Sequence, residues 1–431
     1  MSKEENRKNF SKYVSQNILG MIGFSCYVLA DSYFISIAKG ADGLTALNLV
    51  MPLYSIIFSI GEMIGVGSAI RYAISKIKKD ADADDYFWNA LIWCIMSSMI
   101  FVFAGIFFSA DIMRVLGADE HIVAVGNNYT KIFMCFAPMF MCNYVTNAFV
   151  RNDGAPGIAM SATLFSSLFN IVFDYILMFP MNLGMEGAAL ATALSPIIGM
   201  GICSIHFFSK KSSVRLVVCK PSVRKLVAGS QLGVSAFVGE MSSAVITLAF
   251  NFVILKLAGN VGVAAYGVVA NIAIVTTAVF NGVAQGSQPL ISSCFGRGDR
   301  DGCTQLKRIG YITAFVLAAV MYSILFIFAG QFVAVFNSEG SEMLRLYATE
   351  GVKLYFIGIF FAGINIVGGG AFSATEDAFK AAVVSVARGF VLILGAVFVM
   401  SALFGMTGVW LAYAVAEGIT TFIMLVMVLR V

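Results

Sequence analysis

Charged residues are scarce in this sequence of 431 residues: Asp, Glu, Lys and Arg together make up only 12% of it. Soluble globular domains carry about 25% charged residues, so this scarcity argues against a water-soluble protein. The eight cysteines form no Cys-x-x-Cys pair, and the sequence therefore predicts neither a zinc site nor a disulfide framework. There is also no Gly-Lys dipeptide, which excludes a G-x-x-x-x-G-K-[ST] loop for ATP.

Apolar residues dominate instead, with 59% of the sequence hydrophobic and a mean hydropathy of +0.87. Uncharged runs such as 188–209 reach the length of about 20 residues that a helix needs to cross a bilayer. The sequence therefore predicts an all-α integral membrane protein. We expect twelve transmembrane helices, numbered 1 to 12, at residues 13–38, 44–75, 87–110, 122–150, 156–180, 187–208, 231–256, 263–295, 309–334, 348–375, 380–403 and 406–429.

Lysine and arginine are distributed unevenly between the predicted loops. Nineteen of them lie on the side that carries the N-terminus, and only four lie on the opposite side. Because the cytoplasmic loops of membrane proteins are enriched in Lys and Arg, both termini are predicted to be cytoplasmic in this multi-pass protein. The basic stretch 209–225 is interpreted as a solvated loop that helps to set this topology.

The two halves of the sequence resemble each other at a nearly constant offset. The stretch "AKGADGLTALNLVMP" at 38–52 aligns without gaps with "LAGNVGVAAYGVVAN" at 257–271. Further along, "LGMEGAALA" at 183–191 matches "FGMTGVWLA" at 404–412, at almost the same offset. Each match is weak by itself, but an offset that stays nearly constant along the chain indicates an internal repeat.

This repeat predicts an N-lobe at 1–208, a cytoplasmic linker at 209–230 and a C-lobe at 231–431. Each lobe contains six predicted helices, an even number, so both lobes begin on the same side of the membrane. The lobes are therefore predicted to be parallel repeats, which form two pseudo-symmetric six-helix bundles. Such repeats are typical of secondary transporters, whose binding sites lie near the middle of the membrane between the repeats.

Two aspartates lie inside predicted helices, where a charged side chain costs at least about 2.5–3.5 kcal/mol. Asp31 lies in the middle of helix 1, and Asp174 shares one face of helix 5 with Asn170, which lies one helical turn before it. A low dielectric disfavours a charged carboxylate, so such a group can bind a proton on one side of the membrane and release it on the other. Alternatively, the three side chains can offer oxygen ligands to Na⁺, or the protonated acids can hydrogen-bond neighbouring helices.

Further charges inside the predicted helices are Glu62 on helix 2, Glu240 on helix 7, Arg388 on helix 11 and Glu417 on helix 12. Arg388 can neutralise either Glu240 or Glu417, and a purely structural pair is one interpretation. The sequence also contains 22 Met and 38 Phe, which mostly pack helices but also form adaptable apolar surfaces. A carboxylate in a pocket of this kind favours lipophilic cations.

Four stretches of the chain are similar to the multidrug and toxic compound extrusion (MATE) transporters, and the resemblance extends over essentially the whole sequence. It implies two six-helix bundles around a V-shaped central cavity that opens alternately to each side. It also implies export of drugs or metabolites in exchange for H⁺ or Na⁺, as in a bacterial drug-export subgroup. The stretches are "GADGLTALNLVMPLYSIIFSIGEMIGVGSA", "FVRNDGAPGIAMSATLFSSLFNIVFDYILMF", "GMEGAALATALS" and "GVAQGSQPLISSCFGRGD", the last of which contains Gln288 in a Gln-Pro pair typical of the family.

The resemblance also implies a coupling-ion site in the N-lobe. In the family this site consists of an Asp on helix 1, a Tyr on helix 4, an Asn and an Asp one turn apart on helix 5, and a Thr on helix 6. The matching residues here are Asp31, Tyr129, Asn170, Asp174 and Thr192.

The C-lobe departs from the pattern of those members that bind the ion there. Such members carry a Glu further along helix 7 and an Asp on helix 10, whereas here Glu240 lies near the start of helix 7 and helix 10 has no acid. Ser235 also stands where many members have proline. We therefore expect Glu240 and Glu417 to contact substrate, in a substrate cavity or C-lobe polar site with Glu62, Gln288 and Arg388.

These observations predict a secondary antiporter that exports amphipathic, mostly cationic compounds by alternating access, coupled to H⁺ or Na⁺ and without a cofactor or a resident metal. We expect a monomer in the bilayer of a bacterial inner membrane, with no nucleic-acid partner. The alternative is a lipid-intermediate flippase of the same superfamily, which requires a basic cavity. A channel fits paired repeats less well, and an enzyme is not expected because no nucleophile–base constellation occurs.

Overall fold

The structure of the chain, a computed structural model, describes residues 3–336 and 341–429. This part of the chain is helical and contains no strand. Its helices confirm the predicted all-α membrane architecture of twelve spans. They are α1 Lys3–Gly40, α2 Asp42–Lys78, α3 Asp85–Val115, α4 Glu120–Cys135 with Ala137–Asn152 after a bend of 46°, α5 Pro156–Met178, α6 Gly184–Phe207, α7 223–258, α8 260–296, α9 Arg300–Ile327 continued by Ala329–Phe336, α10 Glu342–Ala374, α11 378–404 and α12 406–429.

Several helices extend beyond their predicted ends, because charged residues that stop a hydropathy pattern do not stop a helix outside the bilayer. Thus α1 begins at Lys3 instead of residue 13, and α7 begins at Val223 instead of residue 231. The segment without helix between α6 and α7 is therefore 208–222, shorter than the predicted linker 209–230. The division into two lobes stays a prediction, and its residues 1–2, 337–340 and 430–431 lie outside the described part of the chain.

The internal repeat appears directly in the backbone. Gly40 (φ 58°, ψ −142°) turns the chain between α1 and α2, and its repeat partner Gly259 (φ 61°, ψ −157°) does the same between α7 and α8. Gly184 (φ 52°) turns the chain before α6, and its repeat partner Gly405 (φ 59°) does so before α12. Only glycine adopts such angles without a steric penalty. Both matched stretches of the sequence thus place glycines with the same unusual conformation at equivalent positions.

The first and last six helices meet along two close-packed contacts, which we call the α2–α7 seam and the α1–α8 seam. In the α2–α7 seam, a Cβ atom on Gly67 would lie 2.1 Å from the carbonyl oxygen of Gly229. In the α1–α8 seam, a Cβ atom on Gly286, the repeat partner of Gly67, would lie 2.8 Å from the Cα atom of Val14. Arg71 on α2 also pairs with Glu376 after α10. These seams close the side of the bundle on which α1 begins, called here the N-terminal face.

The segment 208–222 is hydrogen-bonded to the first six helices near both of its ends. Asp153, after α4, accepts hydrogen bonds from the backbone nitrogen of Ser213 at 2.8 Å and pairs with His206 at 2.8 Å. Asn89 on α3 accepts a hydrogen bond from the backbone nitrogen of Ser222 at 2.6 Å. Because Asp153 and His206 are both almost completely buried, this pair anchors the connection between the two halves.

We expect Gly67→Ala to destabilise the protein, because its methyl group meets rigid backbone across the α2–α7 seam. Overpacking of this kind costs about 1–3 kcal/mol. The apparent melting temperature of the detergent-solubilised protein should fall. Gly201→Ala is the matched control, because a Cβ atom there has open space. Equal melting temperatures for the two variants would show that the seam is not close-packed.

Candidate functional site

One face of α5 places Asn170 and Asp174 inside the first six helices. The buried residues of α5 recur every three to five positions, and both side chains lie on that stripe with no exposed surface. The amide of Asn170 hydrogen-bonds to the side chains on both sides of it when its nitrogen donates to Asp174 Oδ2 at 3.1 Å. Its oxygen then accepts from Thr192 Oγ1 of α6, also at 3.1 Å. The predicted Asn–Asp–Thr group is therefore assembled across the α5–α6 contact.

Asp31 on α1 completes the carboxylate pair. It is buried, and its charge acts directly on Asp174. One carboxylate oxygen of each residue, Oδ1, is buried without a hydrogen-bond donor among the described residues. A buried polar atom without a partner is unusual in proteins and costs free energy. The pair therefore has unused capacity to bind a proton or a cation.

Tyr129 of α4 lies within the electrostatic reach of both aspartates, and its hydroxyl is 2.5 Å from that of Tyr54 on α2. Tyr27 of α1 also lies close enough to Asp31 and Asp174 to interact with both of them electrostatically. The structure thus brings the five predicted residues together and adds two tyrosines. Tyr27 precedes Asp31 by one helical turn, a spacing that could have indicated it. Tyr54 has no such signal, because its position depends on the stacking of its ring on Phe133 at 3.6 Å.

A cavity lies beside this cluster, with a volume of about 110 Å³. Glu62 and Glu240 line it, and the two carboxylates repel each other electrostatically. Its remaining wall is largely aromatic and aliphatic, and it includes Phe24, Tyr27, Phe58, Phe140, Tyr144, Met21 and Met160. The cavity is formed mainly by the first six helices, while Glu240 of α7 and Gln285 of α8 reach in from the second six.

The other three residues of the predicted polar site lie elsewhere. Arg388 pairs with Glu417 at 2.6 Å, and Asn365 of α10 donates to the same carboxylate at 2.7 Å. Neither member of the pair lines the cavity. Gln288 is buried near Gly370 and does not line it either. Of the five residues predicted for the substrate cavity or C-lobe polar site, Glu62 and Glu240 thus line the cavity, whereas Arg388, Glu417 and Gln288 do not. Of the two partners that the sequence leaves open for Arg388, the structure has Glu417.

This arrangement around Glu417 is that of a structural pair. Arg388 lies in a π-helical turn of α11, residues 387–391, and its Nε and Nη2 atoms both face the carboxylate. Asn365 is in turn bonded by Thr421 Oγ1 at 3.0 Å. Sequence analysis missed Asn365, although a polar side chain in the middle of a glycine-rich apolar helix is a signal that it could have used.

We expect Glu417→Gln to destabilise the protein by about 3–5 kcal/mol, because it leaves Arg388 buried without a counter-charge. The double variant Arg388→Met with Glu417→Leu should recover most of this loss, since it removes both charges. Thermal unfolding in detergent measures both effects. A Glu417→Gln variant that melts like the original protein would contradict a structural role.

Comparison with known proteins agrees with this architecture. The family model MatE matches residues 17–176 and 236–399, and the starts of these two stretches are offset in the same way as Gly40 and Gly259. The chain is 27% identical over 414 residues to the multidrug export protein MepA of Staphylococcus aureus (strain MRSA252), covering 93% of this chain and 89% of the relative. It is 26% identical over 405 residues to MepA of Staphylococcus saprophyticus, with the same coverage of both chains.

Solved structures share the fold. The chain superimposes with a TM-score of 0.92 on the outward-facing conformation of a multidrug resistance MATE family transporter of the MOP superfamily. The two are 20% identical, and the match covers 99% of this chain and 96% of the other. A MOP superfamily transporter from Pyrococcus furiosus matches with a TM-score of 0.90 at 20% identity, over 98% and 95% of the two chains. The chain therefore belongs to the MatE family of multi-pass membrane transporters, the family that the sequence resembles.

Proposed function

We propose that the protein is a secondary antiporter that exports amphipathic, mostly cationic compounds in exchange for H⁺ or Na⁺, by alternating access between two lobes. The observation that carries this proposal is the buried pair of Asp31 and Asp174, each with a carboxylate oxygen that no donor in the described part of the chain satisfies. A structural pair such as Arg388 with Glu417 uses its hydrogen-bonding capacity fully. A carboxylate pair that does not is suited to bind and release an ion.

Either coupling ion fits the chemistry of this site. Two carboxylates that interact in a low dielectric disfavour a double negative charge, and a proton bound by either of them relieves that repulsion. Na⁺ would bind the carboxylate oxygens of Asp31 and Asp174, and it would require the amide of Asn170 to rotate so that its oxygen faces Asp174 and its nitrogen faces the Thr192 hydroxyl. Proton coupling requires no more than the two acids, whereas Na⁺ coupling depends on the neutral oxygen ligands as well.

The cavity beside the aspartates is suited to a lipophilic cation. Glu62 and Glu240 supply negative charge, while rings and methionines supply apolar contact area that adapts to different shapes. Its volume of about 110 Å³ is smaller than that of a typical drug pocket, about 300–1,000 Å³. Binding of a drug-sized compound therefore requires the lobes to move apart.

The names of the relatives agree with this proposal, since the staphylococcal relatives are called multidrug export proteins. The charge of the cavity disfavours the flippase alternative, because a phosphate headgroup would meet two carboxylates and a single arginine, Arg151. We further propose that the protein resides in a bacterial plasma membrane with both termini in the cytoplasm, so that the N-terminal face is the cytoplasmic face.

Asp174→Asn should reduce the rate of ion-driven ethidium export from proteoliposomes by about tenfold or more, equivalent to a rise of at least about 1.4 kcal/mol in the barrier to transport. An amide cannot exchange a proton and offers no charge to Na⁺. Transport is measured under a pH gradient and under a Na⁺ gradient separately, and the gradient that drives it identifies the ion.

Asp301→Asn is the matched control for this experiment, since Asp301 is exposed at the start of α9. If the Asp174→Asn variant exports ethidium at the same rate as the control, then Asp174 serves only in helix packing. The Asn170→Leu variant separates the two ions, because it should abolish Na⁺-driven transport and leave most of the H⁺-driven transport.

Glu240→Gln should raise the KM for a lipophilic cation about fivefold to tenfold, equivalent to about 1 kcal/mol of lost electrostatic attraction. The KM for an uncharged substrate of similar size should stay constant. Glu4→Gln, at an exposed position of α1, is the control for the loss of a carboxylate as such. An equal rise in KM for charged and uncharged substrates would indicate a change of cavity shape instead of charge recognition.

A further inference from the structure

The buried guanidinium of Arg151 has no acidic partner. Arg151 lies at the end of α4, is 4% exposed and lines the cavity. Among residues 3–336 and 341–429, no carboxylate lies within ion-pairing distance of it, and its Nε atom has no acceptor. A buried charge without a direct ion-pair partner is costly, so the structure must compensate it in another way.

A single glutamine connects Arg151 to an acid. Nη1 of Arg151 donates to Oε1 of Gln285 at 2.6 Å, and Nε2 of Gln285 donates to Oε1 of Glu62 at 3.0 Å. Arg151 and Glu62 belong to the first six helices, whereas Gln285 belongs to α8 in the second six. The amide thus lies between two opposite charges and satisfies both across the boundary between the halves.

The position of Gln285 makes this bridge dependent on the α1–α8 seam. Its neighbours on α8, Gly282 and Gly286, pack so closely on α1 that a Cβ atom on either would lie 2.6 Å and 2.8 Å from the Cα atoms of Ile18 and Val14. If α8 moves away from α1, the side chain of Gln285 leaves with it. The bridge therefore exists only while the N-terminal face is closed.

The same carboxylate faces the cavity, so Glu62 has two competing uses. In the closed seam it receives a hydrogen bond from Gln285, which is polarised by Arg151. In an open seam it lacks that donor and is free to attract a cation in the cavity. Hydrogen bonds to charged groups are strong enough that the loss of one changes the affinity for a cation about tenfold or more.

We propose that Gln285 is a positioning residue that satisfies Glu62 when the N-terminal face closes, and thereby lowers the affinity of the cavity for a lipophilic cation at the step that releases it. This inference rests on the proposed export of cations and adds to it the residue that links lobe closure to substrate release. The amide of Gln285 suits this position because its oxygen accepts from Arg151 while its nitrogen donates to Glu62.

The first test measures the binding of tetraphenylphosphonium to purified protein by equilibrium dialysis. Gln285→Met keeps the length of the side chain but removes both hydrogen bonds, so the Kd should fall about tenfold. This gain should disappear when Glu62→Gln is added, because no carboxylate is then released. Gln331→Met, at an exposed position of α9, is the matched control. An unchanged Kd in Gln285→Met would overturn the proposal.

The second test leaves the bridge intact. Ser68 is 3% exposed and packs against Gly229 in the α2–α7 seam, so a cysteine introduced by Ser68→Cys reports seam opening through its reaction with a bulky maleimide. If a ligand binds more tightly when the seam is open, its binding must increase the fraction of molecules with an open seam. Saturating tetraphenylphosphonium should therefore raise labelling severalfold above that of the eight native cysteines, and this rise should vanish with Glu62→Gln. The same extent of labelling with and without tetraphenylphosphonium would overturn the proposal.

These outcomes separate this inference from the proposed function. If the original protein neither binds nor exports tetraphenylphosphonium, the proposed function fails and the inference fails with it. If the original protein binds and exports the cation, but Gln285→Met changes only seam labelling, then Gln285 is a structural strut and the export function stands. A combined change in Kd and labelling that depends on Glu62 supports both.

Discussion

The free-energy cost of a charge inside a membrane is the constraint on which this structure depends. The chain deals with it in three ways. Arg388 and Glu417 form an ion pair that Asn365 completes. Arg151 and Glu62 share an amide from the other half of the protein. Asp31 and Asp174 are left with buried oxygens that have no donor within residues 3–336 and 341–429. In that order, the buried charged groups have fewer of their hydrogen bonds and counter-charges supplied by the protein. Their capacity to bind an ion or a ligand increases accordingly.

The two halves repeat in backbone but not in chemistry. Gly40 and Gly259 turn the chain in the same way, and Gly67 and Gly286 both pack closely on the opposite half. Yet the repeat position of Asp31 is Phe250, which stacks on Tyr266 in an apolar core. The symmetry thus builds two matching seams, while the carboxylate site belongs to the first half alone.

A few side chains of the second half of the protein line the cavity of the first half. The cavity lies mostly within the first six helices, but Glu240 and Gln285 reach it from α7 and α8. Both of these helices also form a seam with the first half through glycine contacts. A movement of the second half therefore changes the polar lining of the cavity without any rearrangement of its apolar walls. In the proposed transport cycle, a small displacement of the second half would thereby change the charge that a ligand meets in the cavity.

Local patterns in the sequence determined the number of helices, the internal repeat, and the shared face of Asn170 and Asp174. These features follow from hydropathy and from helical spacing, which act over a few residues. Only the tertiary structure decided that Arg388 pairs with Glu417 instead of Glu240, that Tyr54 joins Tyr129, and that Gln285 lies between Arg151 and Glu62. Glu62 and Gln285 lie far apart in the sequence, in different halves of the chain, and no periodicity indicates a contact over that distance. Such contacts depend on how helices from the two halves pack, which the order of residues along each helix does not specify.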